Sequence, residues 1–187
     1  MADGGVALFP ADTVYGLACD PESPQAVGRL YEIKGRPPER PAAVMFFVLE
    51  EALVALPDLG SRTRDALERL LPGPVTLLLP NPERRFPLAC GPSPDRLGLR
   101  VPDVPLLADV RRPVMQSSAN PSGGADARRL DDVDPAIRAA VDLELDGGEL
   151  PGTPSTVIDL SDYEDGGEYT IMREGALDGN AVRVALR

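Results

Sequence analysis

Brief apolar runs, each stopped by proline, glycine or a polar island, alternate along this chain with short stretches of helical periodicity. That pattern implies an α/β layer architecture around a mixed sheet. Val6–Phe9, ending at Pro10, reads as a strand, and Thr13–Ala18 as a second extended segment. Ala43–Leu49 reads as a buried strand, followed by strands at Val75–Leu79, Leu97–Val101 and Val114–Gln116. Leu143–Leu145, Ser155–Leu160 and Tyr169–Arg173 complete the set, the last two joined by a polar turn over Ser161–Glu168. A helix is predicted after Ser23, a capping residue followed by proline at the first helical position, with Val27, Leu30 and Tyr31 at helical spacing and Gly35 placed to end it. Ser61 opens another helix carrying Ala66, Leu67, Leu70 and Leu71, which stops at Pro72. The acidic stretch Asp131–Ala140 reads as a helical segment whose aspartates form a solvated start. No internal repeat or compositional break appears, so a single domain over residues 1–187 is expected, long enough for one substantial core.

Charge and residue usage narrow the function. A net charge of −11 weighs against avid, non-specific nucleic-acid binding, which needs many Lys and Arg contacts to phosphate. It leaves room for a local cationic pocket. The chain has no histidine, which removes Ser-His and Cys-His nucleophiles, histidine metal ligands and an imidazole base. Two distant cysteines, Cys19 and Cys90, suggest neither a metal motif nor a disulfide framework, so a cytoplasmic location is the default. The longest apolar run, Ala42–Leu49, is too short to span a bilayer, and Met1–Gly5 lacks the basic start of a signal peptide.

Among nineteen basic residues, only Lys34 is a lysine. A compact ammonium can enter crowded oxygen environments that exclude a planar guanidinium. Capping the end of the first helix is the competing reading, and composition alone does not separate the two. Around Lys34 stand further polar islands at strand ends, where ligands of α/β sheets tend to bind. They are Asp12–Gly16, Lys34–Pro37, Gly98–Pro102, Gln116–Asn120, Pro154–Val157 and Met172–Gly175. Taken singly, each also fits a turn or surface role: Ser118 and Asn120 are good turn formers, and Arg173 beside Glu174 suits an exposed ion pair. Together, three cations and two hydroxyl-bearing islands would make an anion pocket.

In order and spacing these islands resemble the YrdC/Sua5 family of threonylcarbamoyl-AMP synthases over nearly the whole chain. The resemblance rests on Phe9–Leu17, Tyr31–Pro37, Pro72–Thr76, Leu99–Pro102, Ser118–Gly123, Ser155–Asp159 and Arg173–Gly175. It implies a YrdC-type twisted mixed sheet flanked by helices, with a concave ligand cavity. It also implies condensation of L-threonine, bicarbonate and ATP into threonylcarbamoyl-AMP and pyrophosphate, the product then serving a downstream tRNA threonylcarbamoyl transferase complex in t6A37 synthesis. The family's lysine-x-arginine and serine-x-asparagine signature falls on Lys34, Arg36, Ser118 and Asn120, the implied catalytic set. Arg40 and Arg173 match further ATP-contacting positions, and Thr13, Arg100, Gln116 and Ser155 match the threonine side. Arg100 would hold the amino-acid carboxylate. Mg2+ is implied only as an ion carried by the nucleotide, with no protein metal site.

Four positions depart from the pattern. Ala11 stands where threonine is common, Met45 where many members have histidine, Arg96 where threonine is frequent and Asp126 near a usual serine. The helix that usually precedes the first strand is missing, and the sequence leaves no room for the additional C-terminal Sua5 domain. These departures keep open an alternative, a paralogue of the same fold that binds nucleotide or RNA without synthase activity.

Overall fold

The computed structural model describes residues 4–37 and 39–187; Met1–Asp3, part of the segment read as lacking a signal peptide, lie outside them. Among these described residues nine strands form one mixed sheet: β1 (Val6–Pro10), β2 (Tyr15–Cys19), β3 (Ala43–Met45), β4 (Val75–Pro80), β5 (Arg96–Arg100), β6 (Val114–Ser118), β7 (Leu143–Glu144), β8 (Thr156–Asp159) and β9 (Thr170–Arg173). Their spatial order is β7-β1-β2-β6-β3-β5-β4-β8-β9. The β1–β7, β3–β5 and β4–β8 pairs are parallel and the remaining neighbours antiparallel.

Among the described residues seven α-helices accompany the sheet: α1 (Pro24–Lys34), α2 (Leu49–Ala55), α3 (Ser61–Leu70), α4 (Pro87–Cys90), α5 (Pro135–Ala140), α6 (Tyr163–Gly166) and α7 (Gly179–Ala185). The start of α1 follows its sequence signal, with Ser23 Oγ accepting from the Ala26 N–H at 3.2 Å. Its end does too. Gly35 takes the left-handed conformation at φ 57°, and the Gly35 and Arg36 N–H groups close the last turn on the Glu32 and Tyr31 carbonyls. In α3, Thr63, Ala66, Leu67 and Leu70 are buried at helical spacing. Asp134 caps α5 through the Ala136 N–H, as an acidic helix start would.

The buried apolar residues of these helices join one cluster with Leu8, Leu17, Val44, Leu77, Leu99, Met115 and Ile158, alternate residues of a single sheet face. The opposite face holds a smaller cluster of Phe9, Ala11, Ala18, Met45, Leu107 and Val114. Beside that cluster this face is left open, and there the polar islands gather.

Three readings needed correction. The buried strand expected over Ala43–Leu49 stops at Met45, because Leu49 already begins α2, with Glu50 and Glu51 placed favourably in its first turn. The loop before Asp95 contains α4, and the turn over Ser161–Glu168 contains α6. No helix among the described residues is long and apolar enough to cross a membrane.

Candidate active site

Six adjacent strands, β6, β3, β5, β4, β8 and β9, each contribute a side chain to one cleft on the open face. Arg36, Arg100 and Arg173 line it together with Gln116, Ser117, Ser118, Ser155 and Thr76. Val14, Ala43 and Val157 supply its apolar parts. Among the described residues no aspartate or glutamate lines it, although the chain as a whole carries a net charge of −11.

Each arginine reaches the cleft by a different device. The tight turn at Gly35 folds Arg36 back over the Tyr31 ring, its guanidinium carbon 5.8 Å from the ring centre. Arg36 Nη1 donates to Ser117 Oγ at 3.0 Å and Nη2 to the Pro41 carbonyl, while Nε is buried without a partner. Burial lowers its pKa, with Tyr31 opposing that shift and Arg40 adding to it.

Arg100, at the end of β5, is only 4% exposed. Its Nη2 donates to Asp12 Oδ1 at 2.6 Å and lies 3.3 Å from Thr13 Oγ1. The pairing is one-pointed, because Asp12 Oδ2 and Arg100 Nε are both buried and unpartnered. Burial pushes the Asp12 carboxyl above its usual range against the pull of Arg100. Burial likewise lowers the Arg100 pKa, and Arg173 works in the same direction, so the two cations share one field. Arg100 remains protonated, as arginine does in proteins.

Arg173, on the edge strand β9, is exposed, and its Nη2 donates to the Ser155 carbonyl at 2.7 Å.

Lys34 occupies a different place from the arginines. Its side chain is 3% exposed and is absent from the cleft lining. The ammonium donates to the Ser118 carbonyl, to the Asn120 carbonyl at 2.8 Å and to Asn120 Oδ1 at 3.0 Å. Those contacts use all three lysine donors. Burial and the nearby Arg36 bring its pKa down to about 8, with Asp126 pulling the other way. Asn120 continues the network. Its Oδ1 accepts from Ser118 Oγ at 2.7 Å, and Nδ2 donates to the Gly124 carbonyl at 2.6 Å and to Asp126 Oδ1 at 3.3 Å.

Of the residues singled out in the sequence, the structure therefore brings Arg36, Arg100, Gln116, Ser118, Ser155 and Arg173 to the cleft wall. Lys34, Asn120 and Thr13 stand behind that wall, each bonded to a group in it. Arg40 is exposed before β3 and does not line the cleft; its carbonyl accepts from the Tyr31 hydroxyl at 2.6 Å. Arg96 lies outside the cleft lining, 3.2 Å from Asp159, and Met45 is fully buried in the smaller cluster. Three contributors carried no separate sequence signal. Thr76 was visible only inside Pro72–Thr76, Ser117 only as the neighbour of Ser118, and the role of Asp12 depends on its partner across the sheet.

The Sua5/YciO/YrdC family model, described as "Telomere recombination", matches residues 1–175, and the chain belongs to this family. A threonylcarbamoyl-AMP synthase of Hahella chejuensis is 30% identical over 178 residues, covering 93% of this chain and 94% of that protein. One from Pseudomonas aeruginosa is 36% identical over 165 residues, covering 86% and 88%. Among solved structures, P. abyssi Sua5 complexed with L-threonine superposes with a TM-score of 0.86 at 29% identity, over 98% of this chain. This chain spans 54% of that longer protein. E. coli YciO matches with a TM-score of 0.80 at 28% identity, covering 97% of this chain and 88% of its own.

Proposed function

We infer that the protein is a threonylcarbamoyl-AMP synthase, joining L-threonine, bicarbonate and ATP and releasing pyrophosphate. The observation that carries this reading is a cleft with three converging arginines and no carboxylate in a strongly acidic chain. Such a cleft suits polyanionic substrates, and relatives named threonylcarbamoyl-AMP synthase support a threonine-derived adenylate as the product.

The chemistry asks mainly for positioning and charge neutralisation. The threonine amine adds to bicarbonate to give a carbamate, releasing one water and one proton. A carbamate oxygen then attacks the α-phosphorus of ATP, and the bond to the bridging oxygen breaks as pyrophosphate leaves. Arg36 and Arg173 offset phosphate charge, and the Ser118 hydroxyl donates to a phosphate oxygen. Arg100 takes the threonine carboxylate, with Gln116 and Ser155 beside it and Thr13 steadying the guanidinium. Lys34 and Asn120 hold the Ser118 loop from behind while Lys34 adds its charge to the field. Magnesium would be held mainly by the ATP phosphates and water. The product passes to a tRNA threonylcarbamoyl transferase complex.

A second reading rests on Asp126, whose carboxylate adjoins the Asn120 amide behind the phosphate side of the cleft. An extra negative charge there would oppose the ATP phosphates, which favours a paralogue of the same fold without synthase activity. Incubation with threonine, bicarbonate, magnesium and α-labelled ATP separates the two. Labelled threonylcarbamoyl-AMP is the expected product; ATP binding without it, even with the transferase present, would establish the second reading.

A further inference from the structure

Arg173 presents a problem that its neighbours solve. An exposed arginine on an edge strand samples many rotamers, and fixing it costs entropy at the moment an anion binds. Here one terminal nitrogen, Nη2, is fixed by the Ser155 carbonyl at 2.7 Å and approaches Ser155 Oγ at 3.4 Å. The remaining donors, Nη1 and Nε, stay available to an anion. Ser155 Oγ is in turn 2.8 Å from Thr76 Oγ1 on β4. All three residues line the cleft.

The strand register explains why Arg173 stands there at all. Val157 pairs with Arg173 and Ile158 with Ile171, so Met172 is an extra residue bulged out of β9. Cross-strand partners share a face. Val157 and Arg173 therefore face the cleft, while Ile158 and Ile171 face the main core. Without the bulge, Met172 would sit opposite Val157 and take the cleft position. Met172 is 57% exposed, as expected of a residue present as a spacer.

We propose that Thr76 is a positioning residue that, through the Ser155 hydroxyl, presets the Arg173 guanidinium for a phosphate-bearing ligand. The proposal rests on the synthase reading for its kinetic consequence, but ligand binding alone tests it. The variants are Thr76→Val, which keeps the shape and removes the hydroxyl, and Thr76→Ser, which keeps the hydroxyl. Each is made alone and on an Arg173→Ala background. Calorimetry with magnesium–ATP and with pyrophosphate should show T76V binding roughly five- to tenfold weaker and T76S within about twofold of the parent. In the synthase assay the change should fall on KM for ATP more than on kcat. On the R173A background T76V should have no further effect, a coupling that general loosening of β4 would not produce. Wild-type-like binding by folded T76V, or an undiminished T76V loss without Arg173, would overturn the proposal. If T76V does not fold, Ser155→Ala cuts the same chain one link later and must show a loss that vanishes on R173A. A parent protein that binds neither ligand sinks the synthase reading itself, a different result from a parent that binds while T76V is unaffected.

Discussion

The Lys34 ammonium lies 2.8 Å from the Asn120 carbonyl and 3.0 Å from the Asn120 side-chain oxygen, and it also holds the Ser118 carbonyl. The chain's one lysine thus meets three converging oxygens on a single loop. A compact ammonium can direct its donors to all three at once. A planar guanidinium presents its donors in one plane and needs more room. The same loop returns to α1 through the Ser122 N–H, which donates to the Lys34 carbonyl at 2.9 Å. Lys34 therefore fixes Ser118 relative to Arg36, the residue two positions further along.

Lys34→Arg should lower kcat/KM for adenylate formation by about 100-fold, the cost of displacing a positioned group by an ångström. Circular dichroism should remain that of a folded α/β protein. Near-normal turnover by the variant would remove Lys34 from the machinery.

Burial brings the Lys34 pKa down from its ordinary 10.5 to about 8, which gives opposite trends for activity and stability. Between those pH values the unfolded chain retains a proton that the folded chain has released. Raising the pH across that window therefore favours the folded state, and this residue's contribution to stability rises with pH. Over the same range the neutral amine loses its charge and one of its three donors, so adenylate formation should fall along a limb centred near pH 8. Rate–pH profiles and urea midpoints across this window test both directions. Lys34→Met should abolish the stability rise. An activity that stays level to pH 9 would break the link.

Much of this arrangement was legible in the sequence because it was written locally. Ser23, Pro24 and Gly35 announce α1 and its ends, and the polar islands fall where strands end. Position within the site was less legible, since it depends on non-local packing. Lys34 and Asn120 stand out in the sequence, but nothing local shows that they bond to one another behind the cleft wall. Asp12 becomes meaningful only when β5 brings Arg100 within 2.6 Å, and Thr76 only when the parallel β4–β8 pairing sets it beside Ser155. The bulge at Met172 has no local signature, because two-residue alternation would have put Arg173 on the face of Ile171. Helix α2 escaped because its first residue closes an apolar run that reads equally well as a strand.

Asp12→Ala should destabilise the protein by about 3–5 kcal/mol, since it strands the buried Arg100 charge without its partner. Asp12→Asn keeps an acceptor for Arg100 Nη2 and should cost less. Chemical denaturation measures both, and threonine binding should weaken in each as Arg100 loses its orientation. Equal stability of the Ala variant and the parent would show that the pair contributes no net energy.

Two glycine-to-alanine changes should act with opposite sign. At Gly175 an added Cβ would lie 2.3 Å from the Pro154 carbonyl oxygen and 2.6 Å from Ser155 C and Thr156 N. All three are backbone atoms, so no rotamer change relieves the clash. Overpacking of this kind costs about 1–3 kcal/mol, which for a chain of this size lowers the melting temperature by roughly 2–4 °C per kcal/mol. Because Pro154 and Ser155 line the cleft, Gly175→Ala should also weaken ATP binding. At Gly28, inside α1, an added Cβ meets nothing within 4 Å. Alanine there lowers the entropy of the unfolded chain and improves helix propensity, a gain of about 0.5–1 kcal/mol. Thermal melts of the two variants should bracket the parent from below and above, and only Gly175→Ala should change nucleotide affinity. A Gly175→Ala protein as stable as the parent would mean that the Pro154–Ser155 segment yields easily, so it could not hold Arg173 in place.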